Sequence, residues 1–497
     1  MSISSAVKSI QDIMRKDAGV DGDAQRLGQM SWLLFLKIYD AQEENLEFEQ
    51  EASYKTPIPK KYLWRSWAAN NEGITGDELL NFVNEELFPK LKNLVAPISS
   101  NPRGFVAKEA FSDAFNYMKN GTLLRQVINK LNEIDFTDSK ERHLFGDLYE
   151  QILKDLQSAG NAGEFYTPRA LTRFIVQMVN PKLGESIFDP ACGTGGFLSC
   201  AFDHIKQSHV KNTDDHQTLQ QQINGVEKKQ LPHLLCTTNM LLHGIEVPVQ
   251  IKHGNTLNKP LSSWEQQYDV IITNPPFGGT EEDGIEKNFP SELRTRETAD
   301  LFLQLIVEVL NEKGRAAVVL PDGTLFGEGV KTKIKKLLLD ECNLHTIVRL
   351  PNSVFAPYTS IKTNILFFEK GKPTKEIWYY EVPLPTGIKA FNKTKPMKLE
   401  NFDECTNWWG EGKSISAKSK RKNRAENEQA WKVSIDDIIA RNYNLDIKNP
   451  HVEEQISHDP EELLADYANQ QKEIQKLRDQ LKNILSDALT GKGDKAK

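Results

Sequence analysis

The chain has 497 residues, a formal net charge of −7, 39% hydrophobic residues and 26% charged residues, which fits a globular protein of two or three domains. No apolar run approaches the roughly 20 residues that span a bilayer, the first residues lack a basic-then-apolar leader, and the five scattered cysteines hold no C-x-x-C pair; no membrane span, signal peptide, disulfide framework or zinc site is read, and a reducing cytoplasm is expected. The acidic balance argues against unaided DNA binding, because phosphate contacts dominate such affinity.

Residues 1–157 predict a helical region. Leu27, Met30, Leu33, Leu34 and Ile38, then Leu79, Phe82, Val83 and Leu87, recur at helical spacing. Pro57, Pro59, Pro89, Pro97 and Pro102 cut it into short pieces. A further amphipathic helix is expected over 138–156. Trp32, Trp64 and Trp67 read as core residues, not as platforms for bases.

Ser158 to Gly163 is a run of small residues, read as a linker or loop. Glu164-Phe165-Tyr166-Thr167-Pro168-Arg169 follows and leads into a helix. Thr167 is expected to cap that helix, with Pro168 at its first position. The next strand, Ser186–Asp189, runs into Pro190-Ala191-Cys192-Gly193-Thr194-Gly195-Gly196-Phe197 and another helix. Strand, glycine turn and helix is the layout of a nucleotide-binding crossover. The glycines let a ligand approach the backbone, and the helix start offers free N–H groups. The spacing is not G-x-G-x-x-G and no Lys-Ser/Thr pair follows. A ligand with a carboxylate, such as the methionine part of S-adenosylmethionine, therefore suits it better than a dinucleotide or a nucleoside triphosphate. Asp189 would accept from the ammonium.

A second strand, Ile223–Glu227, ends on an acid. Glu227 is placed either on ribose hydroxyls or in solvent at a helix start. A third strand near 249–252 is followed by Asn255, a candidate for the cofactor's adenine amine; His253 reads as structural. The fourth strand, Tyr268–Thr273, ends in Asn274-Pro275-Pro276-Phe277. Two prolines cannot continue a ladder, so the chain turns stiffly at a strand's carboxyl end, where open α/β sheets bind ligands. An amide, a carbonyl and a ring are gathered there, a set that can grip a planar base with an exocyclic amine. Gly278 to Arg296 reads as a mobile loop over this corner.

Further strands are expected at 315–320, 346–350 and 364–368, the last as an antiparallel edge. With those at 186–189, 223–227, 249–252 and 268–273, seven strands alternate with helices. The fold class is α/β, a Rossmann-like, doubly wound, mostly parallel sheet. Lys418, Lys420, Arg421, Lys422 and Arg424 form a basic cluster, either a solvated loop or a phosphate contact. Asp459-Pro460-Glu461-Glu462 starts a helix, along which Tyr467, Gln470, Ile474, Leu477, Leu481, Ile484 and Ala488 keep heptad-like spacing. That stripe predicts a helix that packs against a partner helix, or else onto its own domain. Three segments result: a helical 1–157, a catalytic 158–400, and a loop with a partner-binding helix in 401–497.

Phe165-Tyr166-Thr167-Pro168, Asp189 to Phe197 and Asn274 to Phe277, in that order, resemble the γ arrangement of N6-adenine DNA methyltransferases. The helical first region and Asn442-Tyr443-Asn444-Leu445-Asp446 further resemble methyltransferase (M) subunits of type I restriction-modification systems. Glu164 departs from the Gln that this family often carries there. The resemblance implies S-adenosylmethionine held by Glu164–Arg169, Asp189, Thr194–Gly196 and Glu227, and no metal. It implies that Asn274 and Pro275 accept from N6 of a flipped adenine and that Phe277 stacks on the base. It also implies a specificity subunit that reads the DNA sequence, reached through the C-terminal helix, and a restriction subunit for cleavage. The roughly hundred residues after the sheet are too few to add a target-recognition domain, which points to the same dependence. Other amino-group methyltransferases, acting on rRNA or a protein glutamine, share the Asn-Pro-Pro-aromatic corner; a non-catalytic cofactor-binding scaffold is the remaining alternative.

Overall fold

The computed structural model describes residues 3–50, 53–135, 167–356, 359, 361–392, 395–410, 424–451 and 460–489. The helix expected over 138–156, the linker at 158–163, Glu164, Phe165, Tyr166, and Lys418 to Lys422 lie outside them. One sheet is built from β1 (Ile187–Asp189), β2 (Ile223–Glu227), β3 (Ile251–His253), β4 (Tyr268–Thr273), β5 (Leu310–Pro321), β6 (Cys342–Arg349), β7 (Thr363–Lys370), β8 (Glu376–Glu381) and β9 (Ala430–Ser434). Their order is β3-β2-β1-β4-β5-β7-β6-β8-β9. The strands from β3 to β5 run parallel, and β7 runs antiparallel to both β5 and β6.

The sheet therefore has nine strands and is mixed, where seven mostly parallel strands were expected. β7 is antiparallel as read, but it is not an edge. Ile365, Leu366, Phe367 and Phe368 are all buried, so both faces of this strand are covered, and both of its edges are paired. A connection without a helix returns the chain in the opposite direction. β8 pairs with β6, and β9 with β8. Tyr379 and Trp431 stack across that last pair with centroids 5.3 Å apart.

The N-terminal helices include α1 (Ile3–Met14), α2 (Asp23–Gln50), α3 (Pro102–Phe111) and α4 (Gly121–Asn132). Trp32, Trp64 and Trp67 are buried as expected, and Trp32 packs edge-on against Phe88 at 5.0 Å. Glu43, fully buried, is paired with Arg103 at 2.6 Å and accepts from the Tyr54 hydroxyl at 2.8 Å. Further hydrogen bonds help offset the cost of burying such an ion pair. Arg103 also donates to the Glu246 carbonyl at 2.8 Å.

Around the sheet run α5 (Arg169–Val179), α6 (Gly196–His209), α7 (Gln230–His243), α8 (Thr298–Val309), α9 (Asp322–Phe326) and α10 (Val330–Glu341). Helix α7 serves two cores. Leu234, Leu235, Leu241 and Leu242 pack with the N-terminal helices. Cys236 and Met240, on the opposite side by helical spacing, pack under the sheet's first crossover.

Arg424, read as part of a basic cluster, is buried. Its guanidinium lies over the rings of Trp408 and Trp409 at 4.6 and 4.4 Å and donates to Thr346 Oγ1 at 2.8 Å. Cation–π contact and burial remove it from any phosphate-binding surface. All five cysteines are buried and free. Among the described residues no helix is long and apolar enough to cross a membrane.

Residues 449–497 form a separate unit. Its element is the helix α11 (Pro460–Leu489), 30 residues long. Tyr467, Ile474, Leu477, Leu481, Ile484 and Leu485 are exposed along it.

Candidate active site

β1, β2, β3 and β4 are parallel neighbours, so their carboxyl ends open on one side of the sheet. Asp189, the glycine turn, Glu227, Asn255 and Asn274 to Phe277, all predicted for the site, follow or end these strands. Asn274 follows β4 directly. Its Nδ2 donates to Thr167 Oγ1 at 3.0 Å. Its Oδ1 is buried and finds no hydrogen-bond partner among the described residues. Pro275 is buried and Pro276 exposed. Phe277 is buried and meets Phe355 edge to face, with centroids 5.7 Å apart.

Thr167 does not cap α5. Pro168 stands at the N-cap, with φ −55° and ψ 135°, and no side chain caps the helix. Thr167 lies one residue further out, and its hydroxyl is committed to Asn274. Arg169 turns toward α6, donating to Ser199 Oγ at 3.1 Å. The Thr-Pro element and the Asn-Pro-Pro-Phe corner are thus one assembly.

The glycine turn is built as its composition requires. Gly193 and Gly195 hold φ of 55° and 80°, the left-handed region that glycine enters without penalty. A Cβ on Gly195 would sit 2.7 Å from Cys236 Sγ, whereas one on Gly193 would meet nothing within 4 Å. The turn is therefore packed from below and open above. Asn239 holds it from α7 by donating to the Thr194 carbonyl at 3.1 Å. Gly196 opens α6, whose start carries no side-chain cap, and the first N–H groups of a helix have no partner within it.

Asp189, at the end of β1, is buried and accepts from the Ala191 N–H at 3.1 Å. Burial pushes its carboxyl up to about 7, against the opposing pull of the Thr273 hydroxyl and that N–H. Glu227 clasps the turn: its Oε2 accepts from Gly193 N–H at 2.9 Å and its Oε1 from Lys229 N–H at 2.8 Å. Asn255 caps the turn after β3, accepting from Leu257 N–H at 3.0 Å and donating to Glu281 at 3.1 Å. His253, with Nε2 3.1 Å from the Lys228 carbonyl, has the structural place expected of it.

Glu281 escaped the sequence reading. It is buried and gathers Asn255, Lys228 (3.2 Å) and Thr298 (3.1 Å) around one carboxylate. The loop after the corner is thereby tied to the ends of β2 and β3, and Ile285 and Phe289 anchor it in the core beneath. A glycine- and charge-rich composition hid these anchors. Phe355 carried no signal either, since its role depends on the return of a distant segment to β4. Asn239 could have been found as an amide inside an otherwise apolar helix.

The residues between 140 and 459 match the N-6 DNA Methylase family, and those between 3 and 131 match the HsdM N-terminal domain. The methylase subunit of the type I restriction enzyme EcoEI from Escherichia coli is 76% identical over 99% of both chains. That of EcoKI from Escherichia coli K12 is 30% identical, over 80% of this chain and 74% of its own length. A solved chain from a type I restriction-modification system, studied for complex assembly and conformational transition, superposes with a TM-score of 0.82 at 37% identity, over 98% of this chain and 99% of that one.

Proposed function

This chain belongs to the methylase subunits of type I restriction enzymes, and on that premise we propose how its own residues carry out methyl transfer to N6 of adenine in DNA. S-adenosylmethionine supplies the electrophilic methyl group, held on a sulfonium. The strand ends fit it: the glycine turn is open on one side and a buried acid stands at its root. Asp189 pairs with the ammonium, and Thr194 and Gly196 present N–H groups toward the carboxylate, while Gly195, whose own N–H is given to the Cys192 carbonyl at 2.8 Å, shapes the turn against it. Glu227 takes the ribose hydroxyls and Asn255 the adenine amine, and Glu164, Phe165, Tyr166, Thr167, Pro168 and Arg169 are the further cofactor-binding residues that the motif implies.

One observation carries the reading. Asn274 Oδ1 is a buried acceptor with no partner among the described residues, on an amide whose other end is fixed to Thr167. Leaving such an acceptor empty costs about 1–3 kcal/mol. A flipped adenine satisfies it with an N6 hydrogen, and the Pro275 carbonyl takes the second. Both bonds draw density onto N6 and aim its lone pair along one line. Phe277 stacks on the ring. No side chain has to remove a proton before attack, because a methyl sulfonium is a good electrophile and alignment supplies much of the rate. The methyl carbon exchanges its bond to sulfur for one to N6, leaving a neutral thioether, and the N6 proton then passes to water.

The work divides among three segments: helical 1–157, catalytic 158–400, and 401–497, which adds β9 to the sheet before its partner helix. Sequence choice belongs to a specificity subunit reached through the apolar stripe of α11, and cleavage to a restriction subunit, in the cytoplasm. Methyl-labelled S-adenosylmethionine, offered with DNA, RNA and protein substrates to the complex with its specificity subunit, tests this. Label on DNA adenine N6 is expected; label only on RNA or protein would overturn it.

A further inference from the structure

Phe326 is half exposed, at 52%, and among the described residues of 167–448 it is the one aromatic side chain left so open. Its position is specific. β4 and β5 are parallel neighbours, with Thr273 paired to Val318. β5 runs on to Pro321 before its loop begins, so the loops after β4 and β5 leave neighbouring strands at the same end of the sheet. β7 runs antiparallel and pairs Thr363 with Pro321, so its entry lies at the same end. Each of these three adjacent strands carries an exposed apolar residue there: Pro276 after β4, Phe326 after β5 and Ile361 before β7.

The loop bearing Phe326 is held firmly although its ring is not. Lys335, itself buried, donates to the carbonyls on both sides of the ring, Leu325 at 2.7 Å and Gly327 at 2.8 Å. Leu445 N–H donates to the same Leu325 carbonyl at 3.0 Å. Asn364 fixes the loop's first residue through Asp322 Oδ1 at 2.6 Å. Leu445 is in turn seated by Arg349, which pairs with Asp446 at 2.7 Å and donates to the Ile447 carbonyl at 2.7 Å. The Asn442-Tyr443-Asn444-Leu445-Asp446 segment, which the methyl-transfer chemistry does not use, thus acts as a strut under this loop. Asn442 and Tyr443 accept φ of 54° and 59° to reach it, a conformation costly for residues other than glycine.

A rigid backbone that presents an uncovered ring beside a base-gripping corner is the arrangement of a wedge. We infer that Phe326 stacks on the bases of the duplex next to the target adenine and fills the place that the flipped base vacates. This rests on the adenine-methylation reading above and extends it to the extrusion step. An apolar ring offers a base the stacking that its neighbour in the duplex has lost, and the loop's fixed carbonyls hold the backbone from which that ring projects.

The test uses the complex of the methylase subunit with its specificity subunit, comparing wild type with F326A and F326W. Two duplexes are methylated, one fully paired and one with the target adenine opposite an abasic site, where extrusion is easier. F326A is expected to slow methylation of the paired duplex about tenfold, with near-wild-type rates on the abasic one. F326W is expected to keep both rates, with its fluorescence quenched by DNA. Cofactor affinity and subunit assembly are expected to be unchanged in both variants. Equal rates for F326A and wild type on paired DNA would overturn the wedge while leaving the methylation reading intact. So would equal slowing on both duplexes, or loss of assembly, which would assign the ring to the protein partner. A wild-type complex that leaves adenine N6 unmethylated would fail the underlying reading, and the wedge with it.

Discussion

The amide of Asn274 is tethered by Thr167, a residue 107 positions earlier in the chain, through a 3.0 Å hydrogen bond from Nδ2 to Oγ1. The tether decides which end of the amide faces the substrate. With Nδ2 spent on Thr167, Oδ1 is turned outward as an acceptor, the polarity that an exocyclic amine requires.

Removing that acceptor should remove the chemistry. Asn274→Ala is expected to cut the methyl-transfer rate by about 10²–10³, the scale of losing one positioned transition-state partner. Cofactor binding should be unaffected, since the glycine turn is built by other strands. Single-turnover transfer and equilibrium cofactor titration measure the two separately.

Thr167→Val keeps the shape and deletes the hydroxyl. Asn274 Nδ2 then loses its partner, and the amide can turn end for end. We expect kcat to fall about tenfold, corresponding to roughly 1.4 kcal/mol of lost alignment, with KM for DNA little changed. Thr167→Ser should restore most of the rate. An unchanged kcat in the valine variant would show that the tether does not orient the amide.

Asp189 makes cofactor affinity depend on pH. Burial pushes its carboxyl up to about 7, and only the carboxylate pairs with an ammonium. From pH 8 to pH 6 the ionised fraction falls about tenfold, so Kd for S-adenosylmethionine should rise about tenfold as pH falls. Asp189→Asn should bind weakly at all pH values, with a flat profile. Stability moves the other way. The folded-state value lies above that of the unfolded chain, so stability is lost as pH rises from about 4 to about 7. Asn at this position should therefore raise Tm at pH 8 and leave it unchanged at pH 4, which calorimetry can check.

The two turn glycines should fail differently. Gly195→Ala must place a methyl 2.7 Å from Cys236 Sγ at a φ of 80°, so both fold stability and cofactor binding should drop, with at least 1–2 kcal/mol lost on backbone conformation alone, to within about a factor of two. Gly193→Ala meets open space but at a φ of 55°, so it should carry the backbone cost without the steric clash, a smaller loss of stability beside the loss of cofactor affinity. Thermal melts with and without S-adenosylmethionine separate the two effects.

Leu477 and Leu481 are exposed at 63% and 62%. Changing both to Asp should leave folding and cofactor binding intact and abolish association with the specificity subunit, as read by size-exclusion chromatography of the mixed subunits. Persistent association would place the partner surface elsewhere.

The strands and the corner were legible because their signals are local. Proline ends a ladder wherever it stands, and Val270-Ile271-Ile272 reads as a buried strand without any knowledge of its neighbours. What was not legible depends on distant returns. β9 follows β8 by some fifty residues and pairs with it only after the chain comes back. Thr167 satisfied every local rule for a cap, yet the pull of Asn274 from across the fold took its hydroxyl. Arg424 looked like surface charge until Trp408 and Trp409 enclosed it. Glu281 sat in a loop that composition marked as open, although Asn255, Lys228 and Thr298 converge on it.

Helix α7 gives the molecule a party wall. A fragment starting at Thr167 would turn Leu234, Leu235, Leu241 and Leu242 out as an oily strip, and one stopping at Asp135 would lose the same four side chains from its interior. Neither half is a portable cassette. A chimaera that exchanges the helical region between relatives has to bring a matching outer face of α7 with it, while leaving Cys236 and Met240 in place beneath the glycine turn.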